Sequence, residues 1–354
     1  MKNVQNVKIA VYGAGAMGTV LGAFLTLGGL KNVTLVTRNE AHVNGLNKTG
    51  AQIICEAENK TITVPVTAIT PKQMQADKQK YDVIFLMTKQ RANAEILQFL
   101  LPYLQEDGVV CTTQNGLPES SVADVVGKER TYGGVATYGA TFIGDGKVAM
   151  TSKIDGMGMQ VAGFENDNKK TDVLLEILSY AGKATGNTNF AKKAENLQGA
   201  RWSKLAINSA FSGLSVVTGC TFGKIAKGNQ SKKIALGVLR ECLDVANASG
   251  VTLEKMQGRD MQKLLGGKGF LKTQFSLFAL PIAMKKHKKL VSSMLKDVQS
   301  GRKCEIDYIN GAVVKKGKEV GVATPLCEKI VEIVHGIENG LYETAYDNVN
   351  FFEI

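Results

Sequence analysis

Between Lys8 and Lys31 the chain runs for 22 residues without a charge, IAVYGAGAMGTVLGAFLTLGGL, and what this stretch becomes decides much of the fold. Its length suits a membrane span, and Gly18 and Gly22 form a G-x-x-x-G pair of the kind that packs membrane helices. Its internal pattern argues otherwise. VKIAVYG is a β-rich run halted by a glycine, a helical pattern follows to about Gly28, and a second β-rich run, VTLVT, begins at Val33. Strand, tight turn, helix and strand within roughly thirty residues make one βαβ unit. A signal peptide fits no better, because no convincing cleavage site follows.

The turn reads G-A-G-A-M-G, from Gly13 through Ala14, Gly15, Ala16 and Met17 to Gly18. In a βαβ unit the first glycine makes the tight turn, the second lets backbone approach a pyrophosphate, and the third lets the helix sit against the strand. The helix start adds unpaired N–H groups and the positive end of its dipole. These residues therefore predict a dinucleotide site. The end of the second strand discriminates between dinucleotides: Thr37, Arg38 and Asn39 stand where an acidic residue would hold a ribose 2′-hydroxyl. A guanidinium there can hold a 2′-phosphate, so NADP(H) is expected. The alternative leaves Arg38 as a surface charge and gives the ribose to Glu40.

With 354 residues the chain has room for two domains, and 44% apolar and 21% charged residues are the composition of a soluble globular protein. Six cysteines lie far apart without a C-x-x-C pair, and His42, His287 and His335 cluster with none of them. Reduced thiols in a cytoplasmic protein and no metal site are expected. The formal charge of +11 favours anionic partners without choosing among them. The densest basic run, KKHKK from Lys285 to Lys289, lacks interleaved aromatics and reads as a solvated helix end or loop, so no nucleic acid and no membrane partner is expected.

YDVIFLMTK (Tyr81 to Lys89) reads as a buried strand ending in a polar turn, with a helix from about 92 to 101. GVVCTTQNG repeats the scheme, with a strand over Val109 to Thr112 and a tip at Gln114, Asn115 and Gly116. Ligands of open α/β sheets lie beyond the carboxyl ends of the strands, which makes Lys89 and Asn115 candidate contacts; either can equally be a turn former. Residues 131–163 suggest a hairpin-bearing extension, followed by a helix over 169–181 and a strand over 185–190. From about 191 helical patterns dominate, at 193–211, 230–249, 306–320 and 326–338. The fold class is α/β: a Rossmann-type dinucleotide-binding domain over 1–190, then an all-helical domain over 191–354. The first of those helices carries Lys204, Asn208 and Ser212 at fourfold spacing, one polar stripe beside Leu205, Ile207 and Phe211. Such a stripe faces solvent or walls a site.

Four patches in order, VYGAGAMG, MTKQ with QNG, WSKLAIN, and SSMLKDVQSGRKCEIDYINGAVVKKGKEVGVATP, make the chain resemble the ketopantoate reductase family. The resemblance implies NADPH-dependent reduction of 2-dehydropantoate, a small 2-oxo acid, to pantoate. It gives Lys204 the role of general acid and puts Asn208 and Ser293 on the substrate. Lys89 and Asn115 meet the cofactor, Asn115 also the substrate; Glu305 matches a glutamate at the cofactor and active site, and Ala140 a backbone contact to the cofactor. Ser212, Phe222 and Leu290 depart from the pattern, standing where the family often has asparagines. A helical substrate and dimerisation domain, and so a possible homodimer, is implied as well.

The chemistry stands without the family. Hydride reaching a carbonyl carbon builds negative charge on its oxygen, and an ammonium aimed there stabilises that charge and donates a proton. Burial lowers the proton affinity of such a lysine; a carboxylate such as Glu305 raises it. The competing readings are a reductase of another branched 2-oxo acid and a catalytically silent NADP-binding regulator.

Overall fold

The computed structural model describes residues 3–166, 169–255 and 260–353. Its contacts divide the chain into two compact units, one of residues 1–114 with 118–197 and one of Asn115–Leu117 with Gln198–Ile354.

Twelve strands are seen in the described part of the first unit: β1 (Ile9–Tyr12), β2 (Val33–Val36), β3 (Ala51–Cys55), β4 (Lys60–Val64), β5 (Thr67–Ile69), β6 (Tyr81–Leu86), β7 (Leu104–Thr112), β8 (Thr131–Ala136), β9 (Ala140–Gly144), β10 (Lys147–Met150), β11 (Met159–Gly163) and β12 (Ala191–Lys193). The large sheet has the order β12-β11-β8-β7-β6-β1-β2-β5, parallel except where β11 meets β8. Every residue of β1 and β2 is buried, as strands covered on both faces require. One face packs Leu21 and Phe24 of the Ala16–Leu27 helix with Ile177 and Leu178 of the Thr171–Thr185 helix; the other packs Met74, Leu97, Leu100 and Val122. From β1 the chain winds outward through β2 to β5, then returns to place β6 on the other side of β1 and continues to β7 and β8. The direction reverses between β1 and β6, and open α/β sheets hold ligands at such a reversal.

The expected extension around 131–163 is more than a hairpin. β9 and β10 pair antiparallel, but β10 also lies parallel to β3, and a second sheet forms in the order β4-β3-β10-β9. His42 joins this sheet's turn to the first helix. Its Nδ1 accepts the Gly146 N–H at 2.9 Å and its Nε2 lies 3.0 Å from Thr19 Oγ1. Burial lowers the basicity of that imidazole. The strand expected over 185–190 does not form. Thr185 ends a helix, Gly186 turns into the left-handed region at φ +69°, and Asn187 N–H caps the Gly182 carbonyl at 3.0 Å; β12 begins only at Ala191.

The described part of the second unit is helical. Asn229–Ala248 runs through its core, where Leu239, Cys242 and Val245 pack with Leu205, Phe211, Val313, Ile330 and Ile333. The buried Glu241 carboxylate accepts the N–H groups of Leu326 and Cys327 and so caps the Pro325–Glu338 helix. The Phe270–Ala283 helix buries Ser276, Leu277 and Leu280 and exposes Phe270, Leu271, Phe275, Phe278 and Ile282. Lys285–His287 is a short turn at its end, with Lys285, Lys286, Lys288 and Lys289 exposed. Among the described residues no helix is long and apolar enough to cross a membrane, and all six cysteines are free. The uncharged stretch at the start is divided between β1 and the helix after it.

Candidate active site

The glycine turn sits at the sheet reversal. Met87 N–H donates to the Tyr12 carbonyl at 2.8 Å, which brings the ends of β1 and β6 side by side. Gly13 adopts φ +99°, and a Cβ there would stand 2.6 Å from Met87 C and Thr88 N, so this position accepts no larger residue. A Cβ on Gly18 would meet the Gly13 carbonyl oxygen at 2.5 Å, which is the close helix-to-strand approach expected of the third glycine. Gly15 is exposed with open space around its missing side chain, and no side chain caps the helix that starts at Ala16. An exposed Gly15 without a Cβ at an uncapped helix start fits a pyrophosphate.

Arg38 is exposed just beyond β2. Burial pushes the Tyr12 phenol up, and the Arg38 guanidinium pulls it back, which places that charge near the end of β1. Asn39 caps the next helix by accepting the His42 N–H, and Glu40 is exposed in its first turn. Lys89 is exposed at the end of the β6 turn, Asn115 is half-buried beyond β7, and Ala140 is half-buried at the start of β9.

Two features behind these loops escape a reading of the sequence. Gln114 Nε2 donates to Asn93 Oδ1 at 2.6 Å and to Thr88 Oγ1 at 3.3 Å, while its Oε1 accepts from Thr112 Oγ1 at 2.9 Å and from Asn93 Nδ2 at 3.1 Å. This buried amide pair ties the β6 turn to the end of β7, and so holds the loop that bears Lys89. The buried Tyr138 donates its hydroxyl to the Met17 carbonyl at 3.3 Å and steadies the first turn of the nucleotide helix. The T-Y-G-A segment was the available signal, since a buried tyrosine needs a partner for its hydroxyl.

In the second unit Lys204 and Asn208 are half-buried on the Leu197–Asn208 helix. Burial first, and then the Arg201 guanidinium one turn earlier, push the Lys204 ammonium from 10.5 down to about 8. Ser212 is buried in a π turn, Ser209–Gly213, that follows directly. Of the two neighbouring serines downstream, Ser292 is the buried one: its Oγ caps the Ser293–Gln299 helix by accepting the Leu295 N–H at 3.0 Å, and Ser293 is exposed. Glu305 is half-buried immediately before the Ile306–Tyr308 turn. Phe222 is in the core, its ring 5.5 Å from that of Phe211, and Leu290 packs against the same core. The glycine turn, Arg38, Lys89 and Ala140 therefore belong to the first unit, and Asn115 and a depressed lysine with amide and hydroxyl neighbours to the second. A lysine near 8 can both stabilise an oxyanion and release its proton.

Comparison with known proteins gives a consistent picture. A family model described as Ketopantoate reductase PanE/ApbA matches residues 9–159, and one described as Ketopantoate reductase PanE/ApbA C terminal matches residues 196–338. A 2-dehydropantoate 2-reductase of Lactococcus lactis subsp. lactis (strain IL1403) is 28% identical over 341 residues, covering 94% of this chain and 98% of its own. Among solved structures, a D-mandelate dehydrogenase with NADH and anilino(oxo)acetate superposes with a TM-score of 0.78 at 24% identity, over 94% of this chain and 99% of that one. A dimeric ketopantoate reductase from Staphylococcus aureus does so with a TM-score of 0.71 at 17% identity, over the same shares. These two share the fold.

Proposed function

Since this chain belongs to the ketopantoate reductase family and is an oxidoreductase, we propose that it reduces 2-dehydropantoate to pantoate with NADPH, a step of pantothenate biosynthesis in the cytoplasm. The observation that carries this reading is Lys204, depressed to about 8 and set on one helix with Asn208. When bound, the dinucleotide supplies hydride to the keto carbon. Lys204 polarises the carbonyl oxygen and donates the proton that completes the hydroxyl, then regains one from water. Asn208, Ser212, Ser293 and Asn115 orient the substrate's carboxylate and hydroxyl, and Glu305 stands at the acid and the cofactor. Gly13, Ala14, Gly15, Ala16, Met17 and Gly18 receive the pyrophosphate, Arg38 the 2′-phosphate, and Lys89, Asn115 and Ala140 the rest of the dinucleotide.

The competing reading is a reductase of another branched 2-oxo acid; Phe222 is buried in the helical core and Leu290 packs against it, so these two departures from the family pattern do not favour it. Initial rates of NADPH oxidation with ketopantoate, beside pyruvate and other branched 2-oxo acids, decide between the readings. No oxidation with any of them would refute both. A homodimer is proposed alongside, supported by the dimeric relative from Staphylococcus aureus and by the exposed apolar face of the Phe270–Ala283 helix. Sedimentation of the full chain tests it, and a monomer at every concentration would refute it.

A further inference from the structure

The helix that carries Lys204 changes character after Asn208, widening into the π turn Ser209–Gly213 and resuming α geometry at Leu214. In an α-helix residues four apart drift round the axis by about 40° at each step. A turn closed by i→i+5 bonds holds more residues and offsets that drift between Asn208 and Ser212. The π turn therefore sets the register of the polar stripe.

Two carbonyls of this turn are met by side chains from far along the chain. Asn310 Nδ2 donates to the Ser209 carbonyl at 3.1 Å, and Ser292 Oγ donates to the Ser212 carbonyl at 3.4 Å. Asn310 is fully buried, and its Oδ1 lies 2.7 Å from where a Cβ on Gly213 would stand, so glycine at 213 is what lets the amide reach the turn. Among the described residues, Asn310 Oδ1 and Ser209 Oγ are buried without a hydrogen-bond partner. Such atoms weigh against stability, and a residue kept for packing alone would serve better here as an apolar one.

We propose that Asn310 is a positioning residue: by holding the π turn through the Ser209 carbonyl it fixes where Asn208 and Ser212 stand relative to Lys204. This rests on the reading of that stripe as the substrate site. The test is a double-mutant cycle in the full chain with Asn310→Ala and Asn208→Ala. Asn310→Ala should leave NADPH affinity unchanged and lower kcat/KM for the accepted keto acid at least tenfold. Adding it to Asn208→Ala should cost little more, because residues acting through one another are not additive. Losses that multiply, or wild-type kinetics in a folded Asn310→Ala variant, would overturn the proposal. Should the alanine variant fail to fold, Asn310→Asp keeps the shape, removes the donor and enters the same cycle. If the wild type reduces no 2-oxo acid, the reductase reading fails on its own. NMR titration of 13C-dimethylated Lys204 then decides, with an upward move in Asn310→Ala supporting the clamp and an unchanged titration refuting it.

Discussion

The depressed lysine makes a quantitative forecast about pH. Lowering an ammonium from 10.5 to about 8 corresponds to on the order of 3 kcal/mol against its charged form, with burial the larger cause and Arg201 the smaller. A general acid must be protonated to act, so activity is lost as pH rises through the value in the free enzyme. With a value near 8, roughly nine-tenths of Lys204 is protonated at pH 7 and roughly one-tenth at pH 9. We expect kcat/KM for keto acid reduction to fall about tenfold between those pH values, and about tenfold per unit beyond. An unperturbed lysine would give a flat profile through pH 9. The limb in kcat should lie higher than that in kcat/KM, because a bound carboxylate favours the ammonium. The assay is the initial rate of NADPH oxidation at constant ionic strength from pH 6 to 10. Lys204→Ala should cost about 10²- to 10⁴-fold in kcat with near-normal NADPH affinity, and its residual rate should lack the alkaline limb. A flat wild-type profile, or an alanine variant that keeps both rate and limb, would refute the assignment.

Arg38→Ala should raise KM for NADPH by roughly 10- to 100-fold, the worth of a charge-assisted bond to phosphate, and leave NADH nearly unchanged; equal losses would return the ribose to Glu40. Burial lowers the basicity of His42, so the unfolded chain takes up its proton first as pH falls below 6.5. Stability should therefore decline as pH falls below about 6.5 toward the lower folded value, and thermal melts of wild type against His42→Asn should show that decline only in the wild type. Gly13→Ala forces a Cβ onto the Met87–Thr88 backbone at positive φ, and should lower the melting temperature as well as abolish NADPH binding by calorimetry.

What could be read from the sequence was what local pattern determines. β1, the glycine turn, the helix and β2 are contiguous, and the buried runs of β6 and β7 announce themselves by composition. The second sheet was hidden because β3 and β10 are short and lie far apart in the chain, so their pairing has no local signature. The strand expected over 185–190 ignored a glycine–asparagine pair that stops a helix. The stripe of Lys204, Asn208 and Ser212 was legible from fourfold spacing, but the π turn within it was not. The pattern over 193–211 reads as one helix, and the groups that bond to the turn, Ser292 and Asn310, arrive much later. Likewise, adjacent serines give no clue as to which caps a helix; burial assigns that to Ser292.

The exposed face of the Phe270–Ala283 helix also bears on how this protein behaves as a colloid. At neutral pH a formal charge of +11 opposes non-specific association of copies without preventing a specific dimer. Near pH 9.2 the net charge vanishes, and Phe270, Leu271, Phe275 and Phe278 then meet no long-range repulsion. Light scattering should rise there and fall again on either side. That range overlaps the alkaline arm of the rate profile, so enzyme at nanomolar concentration separates loss of a proton from loss of dispersed protein.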